Sequence, residues 1–176
     1  KVVASFQASD NLLIYAQAAE GYRAGGFNTS GRTGQTFGAP GGVQPLRRFT
    51  SDELWNYETG ARLALLDGGL RLRTAVFRSV WRNIQADQLR PSGLPFTANI
   101  GDGHNTGLEA EAQYAHGPWR LEANALFNDP ELKTANPGVA VPSDRSLPGV
   151  ARFQAGALAR YEADIGASMR VNVTAE

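Results

Sequence analysis

Glu109 and Glu111 come nearest to a catalytic arrangement in this chain: two carboxylates two positions apart, the residue types that perform paired acid and base work on glycosidic bonds. Residues i and i+2 of one strand are neighbours by geometry alone, and the alternation of these two with Leu108 and Ala110 fits a solvated strand face better than an active site. His104 and His116 lack ligand-spaced companions and match no zinc pattern, so they read as polar loop or turn residues. Gly101-Asp102-Gly103-His104-Asn105-Thr106-Gly107 is rich in glycine, but its spacing is wrong for a dinucleotide fingerprint and no helix follows. It fits strand backbone along which bulky inward side chains are excluded. No catalytic, metal or cofactor site is expected. One further group has chemical reach: Arg23 with Tyr22, Phe27 and Asn28. A guanidinium beside aromatics at the root of a long loop can grip a carboxylate through two parallel hydrogen bonds. The alternative is that Gly21, Gly25 and Gly26 merely supply loop geometry and Arg23 is solvated.

Composition limits what can position such groups. Lys and Arg number 17 against 17 Asp and Glu, a formal net charge of +0, so no nucleic-acid partner is expected. The absence of cysteine removes disulfides, thiolate nucleophiles and Cys-bearing metal sites together. No run approaches the roughly 18 consecutive apolar residues of a spanning helix. A barrel stays open, because half of each barrel strand is polar. Lys1-Val2-Val3-Ala4-Ser5 carries no signal-peptide apolar core and opens directly in strand-like sequence, as expected of a piece of a longer chain.

Period-two alternation is the dominant pattern. Leu70-Arg71-Leu72-Arg73-Thr74-Ala75-Val76 and Leu121-Glu122-Ala123-Asn124-Ala125 are its clearest stretches, and such a pattern makes a sheet with one apolar and one charged face. Eight strands are predicted, over Lys1–Ala8, Leu12–Ala19, Asp52–Leu66, Leu70–Leu89, Asn99–His116, Trp119–Asp129, Pro148–Tyr161 and Ile165–Glu176. Tight turns are expected at Ser9-Asp10-Asn11, Asp67-Gly68-Gly69, Gly117-Pro118 and Glu162–Asp164. Long loops are expected at Glu20–Ser51, Arg90–Ala98 and Glu131–Leu147, so short and long connections alternate.

The faces follow from the alternation. Glu58, Arg62, Arg71, Arg73, Glu109 and Glu111 belong to the polar side, which in a barrel is the lumen. Leu70 and Leu72 belong to the apolar side with Tyr57, Tyr114, Trp119, Phe127 and Tyr161, aromatics gathered near strand ends as interfacial girdles require. Phe77 and Trp81 fall in register with Arg71 and Arg73, so either a bulge intervenes or both rings point to the polar side.

Four ordered blocks resemble the TonB-dependent outer-membrane receptors. The first runs from Tyr15 through Glu20-Gly21-Tyr22-Arg23-Ala24-Gly25-Gly26-Phe27-Asn28. After it come Asn56-Tyr57-Glu58-Thr59-Gly60-Ala61-Arg62, Ala75-Val76-Phe77 through Asn83-Ile84-Gln85, and Asn99-Ile100-Gly101-Asp102 with Gly107-Leu108-Glu109-Ala110-Glu111. The resemblance covers Leu12–Tyr114; the C-terminal third shares only the pattern. It implies a barrel of about 22 strands around an N-terminal plug, importing scarce nutrients such as ferric siderophores under the drive of the TonB energy-coupling complex, which acts through the plug. Residues 1–176 then form one partial barrel domain from the late wall, without plug, earlier strands or final strand.

The expected fold is therefore all-β, an antiparallel meander of about eight long strands forming part of a transmembrane β-barrel. The expected role is a non-enzymatic stretch of an active-transport receptor in the bacterial outer membrane. Its partners would be the lipid bilayer, its own plug domain, TonB through that plug, and a small-molecule substrate such as a metal chelate. Contact of Arg23 with the plug is favoured over contact with ligand, because a segment shared among receptors for different substrates is a poor place to encode specificity. Specificity is expected instead from Thr29–Phe49 and Glu131–Arg145. Two alternatives share the alternation: a soluble secreted β-sandwich binding module, and a complete eight-stranded outer-membrane barrel.

Overall fold

The computed structural model describes residues 1–28, 48–89, 93, 95–137, 139, 141–165 and 169–175. Its strands are β1 (Val2–Ser9), β2 (Leu12–Arg23), β3 (Gly26–Phe27), β4 (Arg48–Phe49), β5 (Asp52–Leu65), β6 (Leu70–Arg82), β7 (Gln85–Leu89), β8 (Pro95–Asn99), β9 (Gly101–His116), β10 (Trp119–Ala135), β11 (Phe153–Ile165) and β12 (Met169–Ala175). Eight of them form one sheet in the order β1-β2-β5-β6-β9-β10-β11-β12, every neighbouring pair antiparallel. The pairs β3-β4 and β7-β8 are separate two-stranded sheets. The expected meander of eight long strands is what the chain forms.

Register carries the two faces across the sheet. Tyr15, Gly60, Ala75, Glu109, Leu126 and Gln154 stand in one row over six strands. One residue along, Ile14, Ala61, Thr74, Ala110, Ala125 and Ala155 form the opposite-facing row. On that apolar side, Trp119 packs edge-on against Tyr161 at 4.9 Å near the tight turns, and Phe127 meets Phe153 at 4.8 Å toward the long loops. Eight residues separate Trp119 from Phe127, about 26 Å of strand. Among the described residues no second layer covers this side: Val2, Phe6, Val76, Phe127 and Phe153 are all half exposed or more. No ladder joins β1 to β12 among them either, so the sheet is open.

The polar face is knitted by aromatics laid over glycines. The Tyr15 ring lies where a Cβ on Gly60 would be, and the Phe77 ring does the same at Gly107. Phe77 and Trp81 therefore keep strict alternation, and no bulge is needed. The ladders of β5 with β6 and of β6 with β9 run unbroken.

Strand ends depart from the sequence reading in several places: β2 runs four residues into the expected Glu20–Ser51 loop, which also holds the β3-β4 pair, and the strand expected from Pro148 begins at Phe153. The predicted strand Leu70–Leu89 breaks after Arg82, where Asn83 takes a positive φ of 51° and buried Ile84 exchanges backbone hydrogen bonds with Gly101 and Ile100. The chain then re-forms as the β7-β8 pair, so Pro95–Ala98 of the expected Arg90–Ala98 loop is strand. β10 runs on through Pro130 to Ala135. The amides of Asn128 and Leu132 both donate away from β9, to Arg152 and Arg145, so the missing N–H of Pro130 points the same way and costs the β9 ladder nothing. β11 spans Phe153–Ile165, which makes Glu162–Asp164 strand instead of turn. The connection at 166–168 lies outside the described residues. A small core closes the long-loop end: Ile84, Ile100, Leu132 and Leu147 are buried, with Trp81, Ala86, Val139, Val141 and Val150 around them.

Gly107→Ala would place a Cβ at 2.4 Å from Phe77 and 2.7 Å from the Phe127 carbonyl oxygen, whereas at Gly156 the nearest atoms are the movable Asn124 amide at 3.3 Å. Gly107→Ala should cost about 1–3 kcal/mol and Gly156→Ala should be near neutral, as read from urea midpoints of the folded full-length protein.

Candidate functional site

Asp52, the first residue of β5, organises the long-loop end. Its side chain is 2% exposed. The carboxylate accepts from Arg23 Nε at 3.1 and 3.0 Å, from Arg23 Nη2, from Trp81 Nε1 at 2.9 Å, and from the backbone amides of Arg23 and Gln85 at 3.1 and 3.2 Å. The Arg23 guanidinium also lies 5.2 Å from the centre of the Trp81 ring and donates to the Gln85 carbonyl at 2.8 Å. Asp52 and its ladder partner Arg23 stand five residues beyond Tyr57 and Ala18, outside the apolar band. Burial pushes the Asp52 carboxyl up, but the hydrogen bonds from Arg23, Gln85 and Trp81 and the Arg23 charge outweigh it and hold the group below the ordinary carboxylate value.

Amide side chains tie the neighbouring segments to this knot. Buried Gln85 donates through Nε2 to the carbonyls of Ala24 at 3.0 Å and Thr50 at 2.9 Å. Asn99 donates to Thr50 and Asn83 carbonyls at 3.0 and 2.6 Å and accepts from the Thr50 amide at 2.8 Å. Asn28 and the Thr97 backbone exchange two bonds of 2.8 Å, and Asn136 donates to the Asn99 carbonyl at 2.8 Å. The roots of three connections are thus held together by side chains that mimic backbone pairing.

Lower on the polar face lies a hollow lined by Tyr15, Arg62, Arg73, Glu109, Glu111 and Asn124. Tyr15 Oη donates to Glu58 at 2.7 Å, Arg62 sits over the Tyr15 ring at 5.6 Å, and Arg73 reaches Glu111 at 3.4 Å. The six charges read from sequence as one face, Glu58, Arg62, Arg71, Arg73, Glu109 and Glu111, share it by register. Tyr57, Leu70, Leu72, Tyr114, Trp119, Phe127 and Tyr161 share the other. Glu109 and Glu111 stand beside Arg62, Arg73 and Tyr15 in this open hollow.

The group Tyr22, Arg23, Phe27 and Asn28 is split. Arg23 is neither free nor simply solvated, since Asp52 grips it. Tyr22 and Phe27 are exposed, Phe27 with Arg48 at 6.0 Å from its ring. Asn28 braces Thr97. His104 lies 3.8 Å from Glu131 and His116 stacks on Tyr114. Sequence reasoning missed Asp52, Gln85 and Asn99. A carboxylate at a strand start signals little by itself, because its partner Arg23 is 29 positions away. Most of Thr29–Phe49 lies outside the described residues.

A family model described as TonB dependent receptor-like, beta-barrel matches residues 1–174. The pesticin receptors of Yersinia enterocolitica and Yersinia pestis are each 27% identical over 165 residues, covering 88% of this chain and 23% of their own length. The chain thus spans about a quarter of the curated relatives it matches. Among solved structures, the ferric yersiniabactin uptake receptor FyuA of Yersinia pestis superposes with a TM-score of 0.67 at 22% identity, covering 93% of this chain and 23% of that one. The ferric-catecholate import receptor Fiu of E. coli gives 0.63 at 20% identity over 92% and 22%. BauA, the ferric preacinetobactin receptor of Acinetobacter baumannii, gives 0.62 at 21% over 98% and 24%. At these identities the structural likeness speaks for the fold.

Asp52→Ala should loosen the knot by about 1–3 kcal/mol, the usual cost of orphaning buried partners, seen as faster amide exchange at Gln85 and Thr97 while β9 is unchanged. Because the Asp52 pKa is depressed on folding, its contribution should be complete above about pH 3.9, the unfolded value, and be lost as pH falls through the lower folded one.

Proposed function

The chain belongs to the TonB-dependent receptor β-barrel family, and from that premise we propose that it is a stretch of the wall of an outer-membrane active-transport receptor, energised through TonB, that takes up a scarce nutrient such as a ferric siderophore. The observation that carries this reading is the two-faced open sheet, with an uncovered apolar side between two aromatic rows and a charged side with a hollow. Lipid is the medium that suits such an apolar side, and the aromatic rows are spaced comparably with the apolar band of about 25 Å in outer-membrane walls. In hydrocarbon every backbone N–H and C=O must pair, and strands achieve this when the wall closes. The sheet's two free edges are then continued by neighbouring strands of a larger barrel.

On this reading Glu58, Arg62, Arg71, Arg73, Glu109 and Glu111 face the lumen and the plug, while Tyr57, Leu70, Leu72, Tyr114, Trp119, Phe127 and Tyr161 face lipid or its interfaces. Tyr22, Arg23, Phe27 and Asn28 lie where the wall meets plug or incoming ligand. With its carboxylate grip already taken by Asp52, Arg23 acts there as a fixed part of the mouth, leaving exposed Tyr22 and Phe27 for contact. The ferric-siderophore character of the relatives' cargo supports a metal chelate as substrate. The wall does no chemistry; it holds loops and lumen contacts in place.

In a strain deleted for the full-length gene, uptake of radiolabelled iron from a panel of ferric chelates should fall for one chelate class and return with the gene, and only while TonB is present. Unchanged uptake across the panel would reject the siderophore assignment. For the wall itself, Leu72→Arg should cost about 2–4 kcal/mol of barrel stability if Leu72 lies near the bilayer midplane. Arg73→Leu should leave barrel insertion intact, both measured by refolding into lipid vesicles.

A further inference from the structure

β3 and β4 pair over two residues each, Gly26 with Phe49 and Phe27 with Arg48. A two-stranded ribbon that short does not hold itself in place, and among the described residues no backbone ladder joins it to the β7-β8 pair. Side-chain amides make the join. Asn28 Nδ2 donates to the Thr97 carbonyl and Asn28 Oδ1 accepts from the Thr97 amide, both at 2.8 Å. The amide and carbonyl of Thr97 therefore lie on the edge of β8 away from β7, and Asn28 fills that edge as a strand would. Two residues along β8, Asn99 makes the reciprocal exchange: Oδ1 accepts from the Thr50 amide at 2.8 Å and Nδ2 donates to the Thr50 carbonyl at 3.0 Å. Gly25 and Gly26 leave no room for a Cβ against Phe49 and Ser51, so the same two stretches are also pinched together. Asn28 precedes 29–47 and Thr50 follows it. Both ends of that connection thus hang on one strand, β8, through neutral groups.

We propose that Asn28 and Asn99 are positioning residues for uptake, amide brackets that fix the β3-β4 pair, and with it both ends of the 29–47 connection, against β8 at the mouth of the wall. This rests on the receptor-wall reading above. Reach favours the brackets over the Asp52 knot for this task. Asp52 fixes Arg23, the last residue of β2, whereas Asn28 lies past the break in that strand. Chemistry favours an amide: it carries an acceptor and a donor side by side, the match for a strand edge that offers one N–H and one C=O. A carboxylate in the place of Asn28 would set a negative oxygen against the Thr97 carbonyl. Solute then meets a mouth already in place, and loosening the brackets reduces apparent affinity by the fraction of receptors in which the pair is docked.

The test uses the full-length receptor in outer membranes, free of cysteine except for nitroxide-labelled Arg48→Cys and Leu89→Cys, exposed positions on the two pairs. Heat-modifiable gel migration confirms a folded barrel. Asn28→Ala with Asn99→Ala should broaden the label-to-label distance distribution about twofold, as local release of a segment does. Asn28→Asp supplies the signature. Its ionised carboxyl has no proton for the Thr97 carbonyl, so the distribution should be broad at about pH 7.5. That carbonyl and Asp87, across the ladder from Thr97, raise the new pKa; among the described neighbours Arg48 is replaced by the label and Arg23 is spent on Asp52. At about pH 4.5 the neutral acid donates and accepts as the amide does, and the width should return to that of the parent, which is the same at both pH values. Asp52, with its lowered pKa, stays ionised there. In unlabelled receptor at neutral pH, Asn28→Asp should raise the half-saturating concentration of the radiolabelled chelate taken up in the panel above about fivefold, with the maximal rate within about twofold of the parent. If the double alanine variant does not insert, Asn28→Asp alone decides. Equal widths for parent and double variant, or an Asn28→Asp width that ignores pH, would overturn the brackets and leave the receptor reading standing. Broadening with unchanged half-saturation, or a fall in maximal rate alone, would overturn the role in uptake. If no chelate in the panel is taken up, the receptor reading falls, while the label widths still decide the brackets.

Discussion

Everything on this wall hangs on hydrogen-bond register. Strand side chains alternate with a period of two, so a slip of one residue between β5 and β6 would carry Arg71 and Arg73 to the apolar side and Leu70 and Leu72 to the polar one. On the receptor-wall reading proposed above, that slip would bury two guanidiniums in hydrocarbon, far costlier than losing a few ladder bonds, and this penalty makes the pairing specific. The register shifts among the described residues of the long strands keep to their ends, between Gln7 and Ser9 and between Leu132 and Thr134. Between them the Tyr15–Gly60 and Phe77–Gly107 contacts act as pegs, because each ring fits over a neighbour that lacks a Cβ.

The long-loop end obeys different physics. There the chain leaves the ladder and must be held by packing. Burying Ile84, Ile100, Leu132 and Leu147 is worth roughly 6–12 kcal/mol at the usual figure per large aliphatic side chain. The net return of a hydrogen bond is about 1 kcal/mol, so the several bonds converging on Asp52 reach the lower end of that range. What the knot supplies is placement. Asp52 draws β2, β5, β6 and the start of β7 to one carboxylate, and Gln85 and Asn99 extend that hold to Ala24, Thr50 and Asn83. Apolar contacts tolerate sliding, whereas a bidentate pair does not.

This division explains what could be read from the residues alone. Where the ladder rules, local pattern suffices: Leu70–Val76 and Leu121–Ala125 announce their faces, and even Phe77 and Trp81, which break the chemical pattern, keep the geometric one. Where packing rules, it does not. The break at Asn83, the β7-β8 pair and the run of β10 past Pro130 depend on Gly101, Arg145 and Arg152, residues distant in sequence. Arg23 was legible as a group with chemical reach, but its partner Asp52 was not, since nothing near position 52 marks it as the receiver. The polar-face charges were legible as a set; which of them meet each other was not.

The opposition of Arg62 and Arg73 is instructive because it breaks a local rule inside an otherwise consistent wall. A like-charged cross-strand pair costs roughly 0.2–1 kcal/mol in solvent, too little to disturb a ladder of thirteen paired residues between β5 and β6. The wall can therefore carry the conflict whether or not an anion is present. Residues that serve only the strand gain nothing from such a conflict, and Gln or Thr at either position would remove it. Local rules that a consistent sequence breaks tend to mark the places where a structure answers to something outside itself. On this wall the departure sits in the hollow, where Arg62 leans onto a tyrosine fixed by Glu58 and Arg73 leans the other way, to Glu111, so side-chain placement relieves what register imposes.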